Sequence, residues 1–202
     1  MVKSDRDTKV DAIIGGYLSA DITQRFTERT LGIFNDANQL TQLAEKWKNV
    51  AADKSQGHIF EQLEVIKFNF DALKKDSDLF AKTTASMGMP HDKVDIVIKR
   101  GEEIVREVQA KSCNSAARSA FALSDAEYKE MQRLAPSDQT EKIKELLRKR
   151  IDSGTLKAED YEQTLRNIEE SLKHENVSSS GTTYQEALDA TDAKAAQDMA
   201  DK

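Results

Sequence analysis

Apolar residues recur at helical spacing through the first quarter of the chain. Val10, Ile13, Ile14, Tyr17 and Leu18 form one run. Ile22, Phe26, Leu31 and Phe34 form a second, with Asp21 as its cap. Leu40, Leu43, Ala44, Trp47, Val50 and Ala51 form a third. Residues 1–8 are polar and are expected to fray. Gly15-Gly16 weakens the first run by about 1 kcal/mol per glycine relative to alanine. With no strand before it, the pair reads as a helix break, not a phosphate loop. Residues 1–55 are thus expected to form a helical hairpin or small bundle. Asp53 to Gly57 is the next break. From His58 to Lys75, Ile59, Leu63, Ile66, Phe70 and Leu73 share a face, and Phe60, Val65, Phe68 and Ala72 add another. That helix is buried over much of its circumference. Residues 76–93 read as a loop, in which His91 and Asp92 are candidate acid/base or supporting groups or are simply solvated.

The period then changes from helical to alternating. Val94 to Ile98 is short and β-branched. Lys99 to Glu103 is a turn with Gly101 available for a positive φ, and Ile104 to Lys111 alternates. This is a β-hairpin. Ile104, Arg106, Val108 and Ala110 share one face, and Val105, Glu107, Gln109 and Lys111 the other. If Ile98 closes opposite Ile104, Asp95 lies opposite Glu107, which gathers Asp95, Glu107, Gln109 and Lys111 on one face. Such a cluster, if buried, costs free energy unless it is paired or binds something. Carboxylates with an amide oxygen are hard ligands suited to Mg²⁺, and a nearby lysine can steady a phosphate or an activated water. Glu61 is either a surface residue or a contributor to this cluster.

Beyond Lys111 a small-residue helix begins near Asn114. Ser112, Asn114 and Ser115 stand at its N-terminus, a position that suits phosphate binding or plain capping. Cys113 has no histidine near it in sequence. Tyr128 to Ala135 reads as a strand ended by Pro136. Ser137 to Gln139 caps a helix reaching about Ile151, and Ala158 to Glu175 is a further helix. Residues 176–183 have a linker's composition. The last twenty residues are rich in alanine and aspartate and carry little to bury, so the chain is expected to be a module of a longer protein. The organisation read from this is a helical region over 1–55, an α/β core over 56–152, a helix over 153–175, and a linker with a weakly structured tail over 176–202.

Composition changes the picture in three places. The 202 residues are 38% hydrophobic and 33% charged, enough for one modest core. No apolar run approaches bilayer length, and no signal-peptide core is present, so a cytoplasmic, non-membrane protein is expected, with export inside a larger toxin left open. One cysteine excludes an internal disulfide and, with three histidines, the usual structural zinc site. The net charge of −6 argues against a general nucleic-acid binder. Yet Lys93, Lys99, Arg100, Arg106, Lys111, Arg118, Lys129 and Arg133 surround the hairpin, which leaves room for a local basic groove.

The residues Asp95 and Gln109-Ala110-Lys111 resemble the paired strands of the PD-(D/E)xK nuclease superfamily, in the subgroup with a QxK tripeptide found in Mrr-like and Holliday-resolvase-like proteins. Gly57 to Glu61 matches its GxxxE helix pattern, and the resemblance covers roughly residues 57–135. Asp95 is not preceded by proline, since Pro90 stands five residues before it. The resemblance implies an α+β fold with a small mixed β-sheet in a restriction-endonuclease-like αβββαβ core, between an N-terminal helical hairpin and C-terminal helices. It implies a metal-dependent nuclease, a hydrolase of phosphodiester bonds in DNA or RNA, of the kind found in restriction, phage-defence, mobile-element and inter-bacterial toxin proteins. Asp95, Gln109, Lys111 and Glu61 would be catalytic, and Asp95, Gln109, Glu61 and Glu107 would hold Mg²⁺ or Mn²⁺. Ser112, Asn114, Arg118, Lys99 and Arg100 would grip nucleic acid, with a protein partner or further domain reached through the tail. The other reading of the same residues is a non-enzymatic α+β interaction module, or a nuclease fold without activity, with the hairpin charges facing water.

Overall fold

A computed structural model describes residues 5–90 and 92–200, and side chains from residue 23 to residue 199 within them. Helix α1 spans Asp5–Trp47 and helix α2 spans Ala52–Lys74. Side-chain pairs set the two antiparallel. Trp47 stacks on His58 at one end, Gln62 donates to the Asp36 carbonyl in the middle, and Arg29 meets Asp76 at the other. They form the expected helical hairpin, with its bend at residues 48–51. The expected breaks at Gly15-Gly16 and Asp53 to Gly57 are absent, because both lie inside helices. A glycine's cost of about 1 kcal/mol is outweighed by the backbone bonds and packing of a long helix.

Strands β1 (Leu79–Thr83), β2 (Ile96–Arg100) and β3 (Glu103–Ala110) follow, then α3 (Ala116–Leu123) and β4 (Gln132–Leu134). Helices α4 (Thr140–Asp152) and α5 (Ala158–Asn167) come next, with β5 (Ile168–Glu169) after them. The five strands make one mixed sheet in sequence order, antiparallel from β1 to β3 and parallel from β3 to β5. The fold is α+β, and α2, β1–β3, α3 and β4 run in the order helix, three strands, helix, strand. Strand β1 lies in the segment expected to be loop. Its Leu79, Ala81 and Thr83 are buried and pair with β2.

The hairpin turns at Gly101, whose φ of 59° suits glycine. Its register differs from the expected one. Ile98 pairs with Arg106, Lys99 pairs with Ile104, and a bulge lies between Ile98 and Lys99. Ile96 pairs with Val108, so Asp95 falls across from Gln109 rather than Glu107. That is two residues further along β3, on the same face.

The sheet is covered on both sides. Ile96, Ile98, Val108 and Leu134 pack with Ile59, Phe60, Leu63 and Phe68 of α2. On the other side, Ala120, Leu123, Ile143, Leu147 and Tyr161 from α3, α4 and α5 form a second core. Arg133, pointing opposite to Leu134, reaches Thr164 of α5 at 2.9 Å.

Three expectations for the C-terminal part are corrected. Gln139 precedes α4 with no side-chain cap, and Asp138 instead accepts from the Tyr184 amide at 2.8 Å. Helix α5 stops at Asn167, where the chain turns extended to pair with β4. Residues 176–202, expected as linker and loose tail, include strand β7 (Val177–Ser178), paired with β6 (Lys173–His174), and helices α6 (Tyr184–Asp189) and α7 (Ala193–Ala200). Val177, Ala187, Ala190 and Ala196 are buried in the α2-side core, and Thr41 of α1 donates to Gln197 at 3.3 Å. Among the described residues no helix is long and apolar enough to cross a membrane.

Candidate functional site

Asp95 is fixed before its carboxylate does anything. Its N–H donates to the Val108 carbonyl at 3.0 Å and its own carbonyl accepts from the Thr84 N–H at 2.9 Å. This pins the residue between β1 and β3 at the mouth of the sheet. Its Oδ2 accepts from the Gln109 amide, from the Ala110 N–H at 2.9 Å and from the Lys111 ammonium at 3.3 Å. Burial pushes the Asp95 carboxyl above the usual range, while the Lys111 charge and the Ala110 N–H oppose that rise.

Lys111 directly follows β3, and its N–H donates to the Leu134 carbonyl at 3.0 Å, prolonging the ladder with β4. Its ammonium also lies 5.8 Å from the centre of the Tyr128 ring. Burial first, then the acid beside it at Glu127, pushes the Tyr128 hydroxyl up to about 12.

Glu61 comes from α2. Burial pushes its carboxyl up, His58 beside it pulls it down, and the charge of Asp95 pushes it up again. His58 Nδ1 lies 3.6 Å from Glu61 and the His58 ring stacks on Trp47, with centroids 5.8 Å apart and planes 17° apart. The Glu61 carboxylate beside it raises the His58 pKa against the opposing effect of burial. Asp95 acts electrostatically on both residues. The structure therefore brings Asp95, Gln109 and Lys111 into contact at the ends of β2 and β3, and Glu61 of α2 feels the Asp95 charge.

Sequence reading gave no role to three residues here. His58 orients Glu61. Gln56, fully buried, donates to the carbonyl and hydroxyl of Ser112 at 2.6 and 2.7 Å, tying α2 to the turn after Lys111. Tyr128 flanks Lys111. For His58 the signal was its i, i+3 spacing to Glu61. Tyr128 and Gln56 reach the site only through tertiary packing.

The other expected site residues lie apart. Glu107 is exposed and pairs with Val97, outside the cluster, because of the shifted register. Lys99 and Arg100 sit at the far end of β2. Lys99 is 3.3 Å from Glu102, and Arg100 is bound to Asp78 at 3.1 Å and Glu175 at 2.9 Å. Ser112 is engaged by Gln56. Ser115 caps α3, accepting from the Arg118 N–H at 3.4 Å. Asn114 and Arg118 are exposed beside it, 3.4 Å apart. Asp92 accepts from the Val94 N–H at 3.0 Å, and His91 lies outside the described residues. Cys113 is a half-buried free thiol.

Two amide oxygens, Gln56 Oε1 and Gln109 Oε1, are buried with no hydrogen-bond partner. Among the described residues no group of three or more His, Cys, Asp or Glu side chains stands ready for a metal ion. Any cation here would be held by two carboxylates and an amide oxygen. The chain matches no protein-family model, no curated protein and no solved structure.

Proposed function

We propose that this chain is a metal-dependent phosphodiesterase acting on nucleic acid, with a core of the PD-(D/E)xK nuclease kind. One observation carries the reading. Asp95, Gln109 and Lys111 converge at the mouth of a hairpin, and Glu61 joins them electrostatically from the preceding helix. The order helix, three strands, helix, strand supports it.

A divalent cation, Mg²⁺ or Mn²⁺, fits these residues. Asp95 and Glu61 are half-buried carboxylates, each raised first by burial, and the Asp95 charge pushes Glu61 up further, a penalty a cation relieves, while Gln109 Oε1 is a buried acceptor without a partner. Those three residues would hold it. Bound there, such an ion supplies a water of lowered pKa and offsets negative charge on the phosphate. Lys111, steadied by Asp95, orients the attacking water and stabilises the charge that builds on the phosphate oxygens. Tyr128, with its raised pKa, stays protonated near neutrality and is a donor rather than a base. His58 keeps Glu61 in place.

A second reading, a nuclease-like domain without activity that binds a protein partner, is favoured by one observation. The Asp95 carboxylate is already satisfied by Gln109, Ala110 and Lys111.

The deciding experiment is magnesium-dependent cleavage of plasmid DNA and total RNA by wild type, Asp95→Ala and Lys111→Ala. Cleavage by wild type alone supports the enzyme and names its substrate class. Equal folding of all three, no cleavage and no Mg²⁺ or Mn²⁺ binding by calorimetry would leave the second reading standing.

A further inference from the structure

Helix α3 starts five residues after Lys111. It buries Ser119, Ala120 and Leu123 and turns Arg118 and Phe121 outward. Phe121 is 61% exposed, although a large apolar side chain on a solvated helix face contributes nothing to the core. The Lys157 ammonium, at the start of α5, stands 5.4 Å from its ring centre. One turn back along α3, Arg118 makes only a long contact with the neutral Asn114.

Several cations elsewhere on the molecule are held by carboxylates. Lys67, Lys75 and Arg100 are bound to Glu186, Asp71, and the pair Asp78 and Glu175. Among the described residues neither Arg118 nor Lys157 has a carboxylate within ion-pair distance. Two acids that follow α3 are engaged locally, Asp125 accepting from the Glu127 N–H at 3.1 Å and Glu127 bonding Tyr128, while Glu159 and Asp160 stand in the first turn of α5 just after Lys157. Lys111 with Tyr128, then Arg118, then Phe121 with Lys157 form a series that starts at the site and continues along the chain through α3. It alternates positive charge with aromatic faces.

That alternation suits one ligand. Phosphates need the cations, and the open faces of unpaired bases stack on aromatic rings. A duplex keeps its base faces covered and would leave Phe121 without a role. We infer that the outer face of α3, extended by Lys157, is a track for single-stranded nucleic acid entering the site. This rests on the nuclease reading and gives it a substrate class.

The test is fluorescence anisotropy of the full chain, in EDTA and low salt, with a labelled single-stranded oligonucleotide and with the same strand annealed into a duplex. The single strand is expected to bind more tightly. Phe121→Ala should weaken its binding by roughly fivefold to a hundredfold, and Phe121→Trp should preserve it. Arg118→Gln should reduce the slope of affinity against salt by about 0.7. Phe121 is exposed, and an unchanged melting temperature will show that its variants fold. Equal affinity for strand and duplex, with Phe121→Ala binding like wild type, overturns the track and leaves the nuclease reading intact. Absence of binding to both nucleic acids overturns the track, and absence of cleavage in Mg²⁺ separately overturns the nuclease reading.

Discussion

The Gln109 amide donates to the Asp95 carboxylate while its own Oε1 is buried without a partner. The residue thus satisfies an anion on one side and carries an unmet acceptor on the other. Gln109→Glu would replace the donor by a second anion, and two such groups share a proton or a cation. The metal-free variant is expected to lose about 1–3 kcal/mol, and Mg²⁺ to restore more stability than it adds to wild type. Thermal melts with and without Mg²⁺ measure both. An identical Mg²⁺ response in the two proteins would sink the assignment of this carboxamide to a cation site.

His58 titrates above its ordinary value of 6.5 because Glu61 holds its proton. The stability this pair contributes is complete below about 6.5 and is lost as pH rises through the raised folded value. In Glu61→Gln the anion is gone and burial remains, so the His58 pKa should fall to or below 6.5. An NMR titration of the imidazole reads the shift directly. An unchanged His58 curve would show that the pair is not coupled.

Glu64 is buried on α2. One of its oxygens accepts from the Leu172 N–H at 2.9 Å and from the Ser179 hydroxyl, and the other has no partner. Burial pushes its carboxyl above the ordinary 4.5. The folded state therefore binds its proton more tightly than the unfolded chain does. Stability from this group declines as pH rises from about 4.5 towards the folded value. Glu64→Gln keeps the acceptor and abolishes the charge, so it should flatten that decline. Urea unfolding at several pH values between about 4 and 8 tests this, and parallel pH profiles for variant and wild type would refute it.

Gly181 has φ of 82°, and a Cβ placed on it would lie 2.7 Å from the Glu170 carbonyl oxygen. Both facts oppose any side chain. Gly181→Ala should cost about 2 kcal/mol or more, from left-handed strain plus the displaced backbone. Denaturant midpoints provide the check, with a wild-type midpoint counting against the close approach.

The hairpin was legible because alternation and Gly101 are local signals. Asp95 and Gln109 meet because a register error of two residues leaves every side chain on its own face. Glu107 was misplaced for the same reason. The bulge between Ile98 and Lys99 moves partners along the strand, and nothing in the apolar pattern announces it. Strand β1 was hidden because Leu79 to Thr83 is short, contains Lys82 and emerges from a polar turn. The tail was misjudged because Ala187, Ala190 and Ala196 bury little area each. Their value lies in letting helices approach closely, which hydrophobicity does not register. Tyr128 acquires its role only from Lys111 at the end of β3, outside its own element.

The contact between Thr41 and Gln197 spans 156 residues. Helix α1 is covered by α7, so the α1–α2 hairpin is synthesised with part of its packing surface bare until α7 follows it. Such long-range closure slows folding and exposes apolar surface meanwhile. Residues 61–111 are made before α7, so the helical layer behind them is completed only after they have left the ribosome.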